Sequence, residues 1–432
     1  AAAGVQAALL RAEEAQEEGR HWHAGGGSQP VEGALLGMAA FQATRLNLSG
    51  LLRSLLNYSW CRLCMLGGRE VAELTSAASR MGCDDRRFFC MAAAFCAQQP
   101  LAFGCLRDVV LMAAALLHRP EVAGEWPFDR ALAFHGLAVA ALPHLRAPAD
   151  GGFNPRDLAE LLHTLASALA ATPLTGGPAL HTTPAAGEAL GEAFARLRPL
   201  LPRASAQDVA KAAGAGAAAW PLLPRLREHL LRPLLLEMAA LPACRGPALF
   251  GAQDVAQTTL AVARLELLDE PTAHSLGEVV TAHATELSGK DLSLLLWAIS
   301  GPGWPESQCG VALAKELQAR DLQLFSVHDL CMAGQACARL ADAGRTALCA
   351  VAAEAFSRQL EGFAPADMAL LLWSLGKAKL GRHDLCRLLV RSLAAEGVAG
   401  LAHGAASAAL WGLAAAAPAL PTESPWPARL LA

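Results

Sequence analysis

Asp291-Leu-Ser-Leu-Leu-Leu-Trp-Ala-Ile299 and Asp367-Met-Ala-Leu-Leu-Leu-Trp-Ser-Leu-Gly376 decide the fold, because the second repeats the first 76 residues later. Each sets an acidic residue before an unbroken apolar run with Trp six places on. Leu and Ala hold a helix at little entropic cost, and the period-two alternation of a strand is missing. Working outward, an acidic residue followed by an apolar helix recurs at Glu32, Glu70, Asp108, Asp157, Asp208, Asp254, Asp291, Asp329 and Asp367. Ala405 begins a last member without the acid. The steps are 38, 38, 49, 51, 46, 37, 38, 38 and 38 residues. The three long ones coincide with Pro/Gly-rich inserts at Arg146–Asn154, Thr172–Gly187 and Pro221–Pro247, where a repeat array tolerates extra chain.

The acidic residue suits a helix start, since a carboxylate accepts from the free N–H groups of a first turn and faces the positive end of the dipole. Asp157 with Glu160 and Asp254 with Gln257 have the spacing of a capping box. Counting the acid as zero, positions +1, +4, +8 and +11 form one apolar stripe, as in Val255, Thr258, Val262 and Leu265, or Met368, Leu371, Leu375 and Ala378. Position +7 is small throughout, from Ala39, Ala77 and Ala115 to Ser374 and Gly412, which marks a close helix crossing. Second helices follow near Thr272–Leu287 (opened by Glu270-Pro271), Gln308–Ala319, Arg345–Leu360 and Arg382–Ala395. One such pair is too small to bury its apolar faces, so neighbours must stack. The expected fold is all-α, an α-solenoid superhelix of about ten helix-turn-helix repeats of roughly 38 residues. The expected divisions are a leader at 1–30, helical repeats at 31–156, divergent repeats at 157–253 and well-matched repeats at 254–432.

Composition supports this class. Of 432 residues, 54% are hydrophobic and 17% charged, which excludes a disordered chain. Net charge is −4, so the molecule as a whole does not attract polyanions. Only five of the 35 basic residues are Lys. That Arg excess fits either a GC-rich genome or contacts to phosphates and bases. The 12 Cys, among them Cys96, Cys105, Cys331, Cys337, Cys349 and Cys386, read as small buried hydrophobes of a reducing compartment. Glu13, Glu14, Glu17 and Glu18 are wrong for an Arg-rich transit peptide. Gly397–Thr422 has no charged residue, yet its Gly, Pro and His and its Leu410-Trp411 register place it with the repeats and not in a membrane.

The Asp291 and Asp367 segments, with Ala406-Ala-Ser-Ala-Ala-Leu-Trp411-Gly-Leu-Ala, resemble the D-L-x-x-x-L-W-A-L-A helix of octotricopeptide and heptatricopeptide repeat proteins. That helix is shared with the related FAST-kinase-domain and RAP-domain proteins. Phe153, Phe250, Phe325 and Phe363, four places before an Asp, match the same style. The resemblance is sharp over about 250–420 and fades toward the N-terminus; no RAP-like domain is visible. It implies an α-solenoid of mitochondria, or alternatively plastids, acting in organellar RNA processing, stability, translation or ribosome assembly. A step near 38 also departs from the 34-residue tetratricopeptide period.

Positions +6 and +10 stack on one face of a helix. Trp297, Trp373 and Trp411 hold +6; Arg80, His118, Arg264, Arg339 and Lys377 hold +10. Lining a groove, such a ridge alternates cations with stacking surfaces, as single-stranded RNA is commonly held. The other reading makes the Trp residues wedges between repeats and the cations a cover for the apolar rim. Positions +2 and +3 are mostly Ala, Leu, Ser or Val, so no base-reading code is visible. Cys61-x-x-Cys64 lacks a second pair for zinc, and His21-Trp-His23 reads as leader. No phosphate-loop, dinucleotide, nucleophile-elbow or H-E-x-x-H string occurs. The expectation is a non-enzymatic protein without metal or cofactor, whose partners are single-stranded or ribosomal RNA, as a free factor or a ribosome-type subunit. The alternative is a protein–protein scaffold of a large organellar complex with no RNA contact.

Overall fold

The computed structural model describes residues 36–37, 39–40, 42–44, 49–59, 63, 65–117, 130–148, 152–171, 184–267, 269–301, 304, 308–340, 342–381, 383–396 and 401–416. Among these residues the chain is helical with no strand, as the absence of period-two patterning requires. The start at Glu32, His118, the Cys61 and Cys64 pair, His21 to His23 and the 1–30 leader lie outside the described residues.

The chain forms two compact units, Ala1–Leu231 and Arg232–Ala432. The first contains α1 (Ser49–Ser59), α2 (Gly68–Arg80), α3 (Arg86–Gln98), α4 (Leu106–Leu117), α5 (Arg130–Arg146), α6 (Pro155–Ala171), α7 (Pro184–Leu197) and α8 (Ala206–Ala219). Here α2, α4, α6 and α8 pack in series, and α3, α5 and α7 pack in a second series. The second unit contains α9 (Arg232–Arg245), α10 (Ala252–Ala263), α11 (Glu270–Ala282), α12 (Gly289–Ile299), α13 (Gln308–Ala319), α14 (Val327–Cys337), α15 (Asp342–Ser357), α16 (Pro365–Lys377), α17 (Asp384–Glu396) and α18 (His403–Ala416). Its even-numbered helices from α10 to α18 pack in series, as do its odd-numbered ones from α9 to α17. Within each unit, from α2 to α8 and from α9 to α18, a helix therefore packs on the next but one in sequence.

The acidic residues mark the helices, but three places inside them. Ser205, Ser288 and Ser326 are the N-caps of α8, α12 and α14, and each hydroxyl accepts from the backbone N–H of Asp208, Asp291 or Asp329. The Asp returns the contact: Asp208 Oδ2 accepts from the Ser205 N–H at 3.1 Å and hydroxyl at 2.7 Å. This is a reciprocal capping box, also present at α14, with the acid as its partner at the third helical residue. The spacings Asp157/Glu160 and Asp254/Gln257 are accordingly not capping boxes; Glu160 instead forms an ion pair with Lys211 across α6 and α8. A second correction concerns Pro221–Pro247. Most of this insert is helical, a five-residue π turn at Arg227–Leu231 running into α9. Proline misled the reading because Pro233 is the second residue of α9 and Pro242 lies within it, buried, where a proline argues against a helix.

The stripe at +1, +4 and +8 is buried in both quoted segments, while +11 falls beyond the helix end. The small +7 residues sit at crossings. A Cβ on Gly412 would lie 2.7 Å from the Leu372 carbonyl carbon and the Trp373 nitrogen, so α18 rests on the backbone of α16. A Cβ added to Gly136 of α5 would likewise run into the Cys96 carbonyl of α3.

A feature unread in the sequence fastens the second helices. Arg358, after α15, pairs with Glu354 at 2.6 Å and donates to the carbonyls of Leu322, Gln323 and Phe325. Arg320, after α13, pairs with Glu316 at 2.5 Å and donates to those of Ala284 and Thr285. Each side chain thus reaches back to the short 3-10 turn that precedes the helix series, about one repeat upstream. In the first unit Arg196, four after Glu192, reaches the Ala147 carbonyl at 3.5 Å and lies over the Phe153 ring.

Candidate nucleic-acid interface

Packing leaves each first helix one strip of side chains. On α12 the residues that are not buried are Gly289 to Asp291, Leu294 and Trp297; on α14 they are Val327 to Asp329, Met332 and Gln335, with Arg339 just beyond. On α16 the strip continues through Leu370, Trp373 and Lys377. In register these are positions −1, 0, +3, +6 and +10, which at 100° per residue fall within one third of the helix circumference. Positions +6 and +10 therefore share a face, with +3 between them and the helix N-terminus.

In the second unit this strip carries arginine–tryptophan stacks. The Arg264 guanidinium lies 5.7 Å from the Trp297 ring centre, and that of Arg339 lies 5.6 Å from Trp373. Each pair joins +10 of one first helix to +6 of the next, α10 to α12 and α14 to α16. The Trp373 and Trp411 rings stand 5.9 Å apart and inclined by 43°. Trp297 and Trp373 are half-buried, whereas Trp411 is 46% exposed. Neither Trp297 nor Trp373 is sealed between helices as a full wedge. Arg264, Arg339 and Lys377 are exposed, and Lys377 lies over no ring among the described residues. Such cation–π contacts tether an exposed guanidinium beside an indole, setting charge next to a ring.

In the first unit the same strip lines a cavity of about 1250 Å³. Glu73, Ser76 and Arg80 from α2 face it at +3, +6 and +10, with Arg107, Asp108 and Leu111 from α4 and Gln42 and Thr44 from residues before α1. Arg80 thus sits in a groove, while the +6 places of this unit hold Ser76, Ala114, His163 and Gly214 and no tryptophan. Burial pushes the Asp108 carboxyl above its ordinary range, opposed by a bond to Cys105 and by Arg69. Asp157 is raised for the same first reason, with Arg107 and Arg156 opposing.

The sequence reading overlooked position −1, which holds Arg69, Arg107 and Arg156 in the first unit and Lys290 and His328 in the second. All but the acid beside each are exposed. A cation in a first helical turn opposes the dipole, and this repeated cost was the available signal.

The thiols divide. Cys96, Cys331, Cys337 and Cys386 are buried, but Cys105 precedes α4 and is exposed, as is Cys244. No three His, Cys, Asp or Glu side chains among the described residues converge as a metal site would require. No helix of the described residues is long and apolar enough to cross a membrane; α18, which contains Leu410-Trp411, has 14 residues. No protein-family model matches this chain, and no curated protein is significantly similar to it.

Proposed function

We propose that this chain is a non-enzymatic, RNA-associated helical-repeat protein, a solenoid of about ten 38-residue units of the octotricopeptide or heptatricopeptide kind, working in a mitochondrion or plastid. The observation that carries the RNA reading is the pair of stacks Arg264–Trp297 and Arg339–Trp373, continued by Trp411, on the one strip that each first helix leaves uncovered. Guanidiniums held beside indoles, and an open indole face, offer charge to any phosphate and stacking to any base, without a code for sequence. Ribosomal and messenger strands are equally suited to such a surface.

RNA filter binding across a salt series tests it. A steep fall of affinity with salt is expected, and Arg264→Glu with Arg339→Glu should weaken binding while leaving helix content intact. Absence of binding at low salt would remove the RNA reading. A second reading rests on Leu294, Met332 and Leu370, half-buried at +3 beside the Trp residues, which make part of the strip apolar. That surface suits a protein segment, and the chain would then be a scaffold subunit of an organellar complex; partner binding insensitive to salt would favour it.

A further inference from the structure

We infer that the groove between α2 and α4 is a phosphodiester clamp, a second contact site that grips the backbone of a nucleic-acid strand without touching its bases. The inference rests on the RNA reading above and assigns it a region with no aromatic ring. The groove holds equal numbers of acids and arginines, and two of the acids have side-chain partners. Glu73 is engaged by Arg69 at 3.1 Å. Asp108 is buried and bonded to Cys105. Glu70 folds over Gly67, where even an added Cβ would stand 2.5 Å from its Oε2. Arg80 and Arg107 face the same cavity, are exposed, and have no hydrogen-bond or ion-pair partner among the described residues. Glu70 lies in the first turn of α2, at the positive end of its dipole, so the charge turned out to meet an anion is that of Arg80 and Arg107, and guanidinium forks match phosphate oxygens.

Size selects the ligand. Asp108 interacts with Arg69, so Arg107 lies beside the start of α2, and Arg80 stands eleven residues farther along that helix, about 16 Å along its axis. One phosphate cannot span that distance, so the arginines at the two ends of the groove require a ligand with several linked anions. Beyond the groove, the exposed Arg156 of α6 extends the series at −1. With Ser76 in place of the indole found at +6 in the other unit, nothing here stacks on a base.

Salt-dependent binding of two probes tests this: a uridine homopolymer and an abasic strand of equal length. The wild type should bind both. Arg80→Gln with Arg107→Gln should make the slope of log affinity on log salt shallower by about 1.4, two phosphates at about 0.7 each, and should abolish abasic binding. Arg80→Lys with Arg107→Lys should restore much of the slope, with circular dichroism verifying the fold of both variants. A wild type that binds the homopolymer but ignores the abasic strand, or a Gln pair with unchanged slope, overturns the clamp and leaves the RNA reading standing. A wild type that binds neither probe overturns both.

Discussion

Arg358 sets the scale at which single side chains matter in this protein. Its guanidinium joins the Glu354 carboxylate, itself largely buried, to three carbonyls of the preceding turn. Arg358→Met strands both sets of partners and should destabilise the fold by about 2–3 kcal/mol in urea melts. Adding Glu354→Gln should recover part of that loss, since the orphaned charge is then gone. The indoles behave differently. Trp373→Ala should cost about 2 kcal/mol, below the ~3–5 of a fully buried aromatic, because one side of the ring already faces out; weaker RNA binding beyond that would separate stacking from packing. The +6 and +10 residues could be read from the sequence because helical periodicity puts them together. Arg320 and Arg358 could not, since a Glu-x-x-x-Arg pair looks like any solvated i,i+4 pair until the preceding repeat supplies its carbonyls.

At the scale of the element, the boundaries of the first helices are set by a cap and an acid three residues later. The sequence located the acid and misplaced the start, because a carboxylate serves equally at the cap or in the first turn. Ser205, Ser288 and Ser326 were the missing signal. At α16 the cap is Ala364, whose backbone has the geometry of the serines and whose N–H donates to Asp367 Oδ2 at 3.1 Å. Ala364→Ser should therefore stabilise the protein by about 0.5–1 kcal/mol, and Ser326→Ala should destabilise it by about 1 kcal/mol, both read as shifts in the denaturation midpoint. Gly412→Ala, whose new methyl meets the backbone of α16, should cost about 1–3 kcal/mol. Gln308–Ala319 was read to the residue since no proline or cap ambiguity intervenes, whereas α9 was hidden by its prolines.

At the scale of the molecule, the all-helical class was legible because its signal is spread over hundreds of residues. The groove of the first unit was not, because it exists only once α2 and α4, far apart in sequence, pack together. The buried thiols offer a property of the whole fold. Burial raises Cys309 and Cys386 to about 11 and Cys337 to about 12. A thiol raised in the folded state stays protonated there while the unfolded chain loses its proton, so stability is full below pH about 9 and falls as pH rises toward the folded values. Each such group should contribute a loss of about 1.4 kcal/mol per pH unit within that window. Urea midpoints between pH 8 and 10.5 check this, and Cys337→Ala should flatten the decline.

The committed carboxylates have a consequence for how the protein meets other molecules. An isoelectric measurement counts Asp208, Asp291, Asp329 and Asp367 as free negative charges, yet each lies against the half-positive end of its own helix. Seen from a short distance their field is partly cancelled, while the guanidiniums beyond them are not opposed. A chain that migrates as a weak anion can therefore present locally cationic tracks, and its bulk titration is a poor guide to what it attracts at close range.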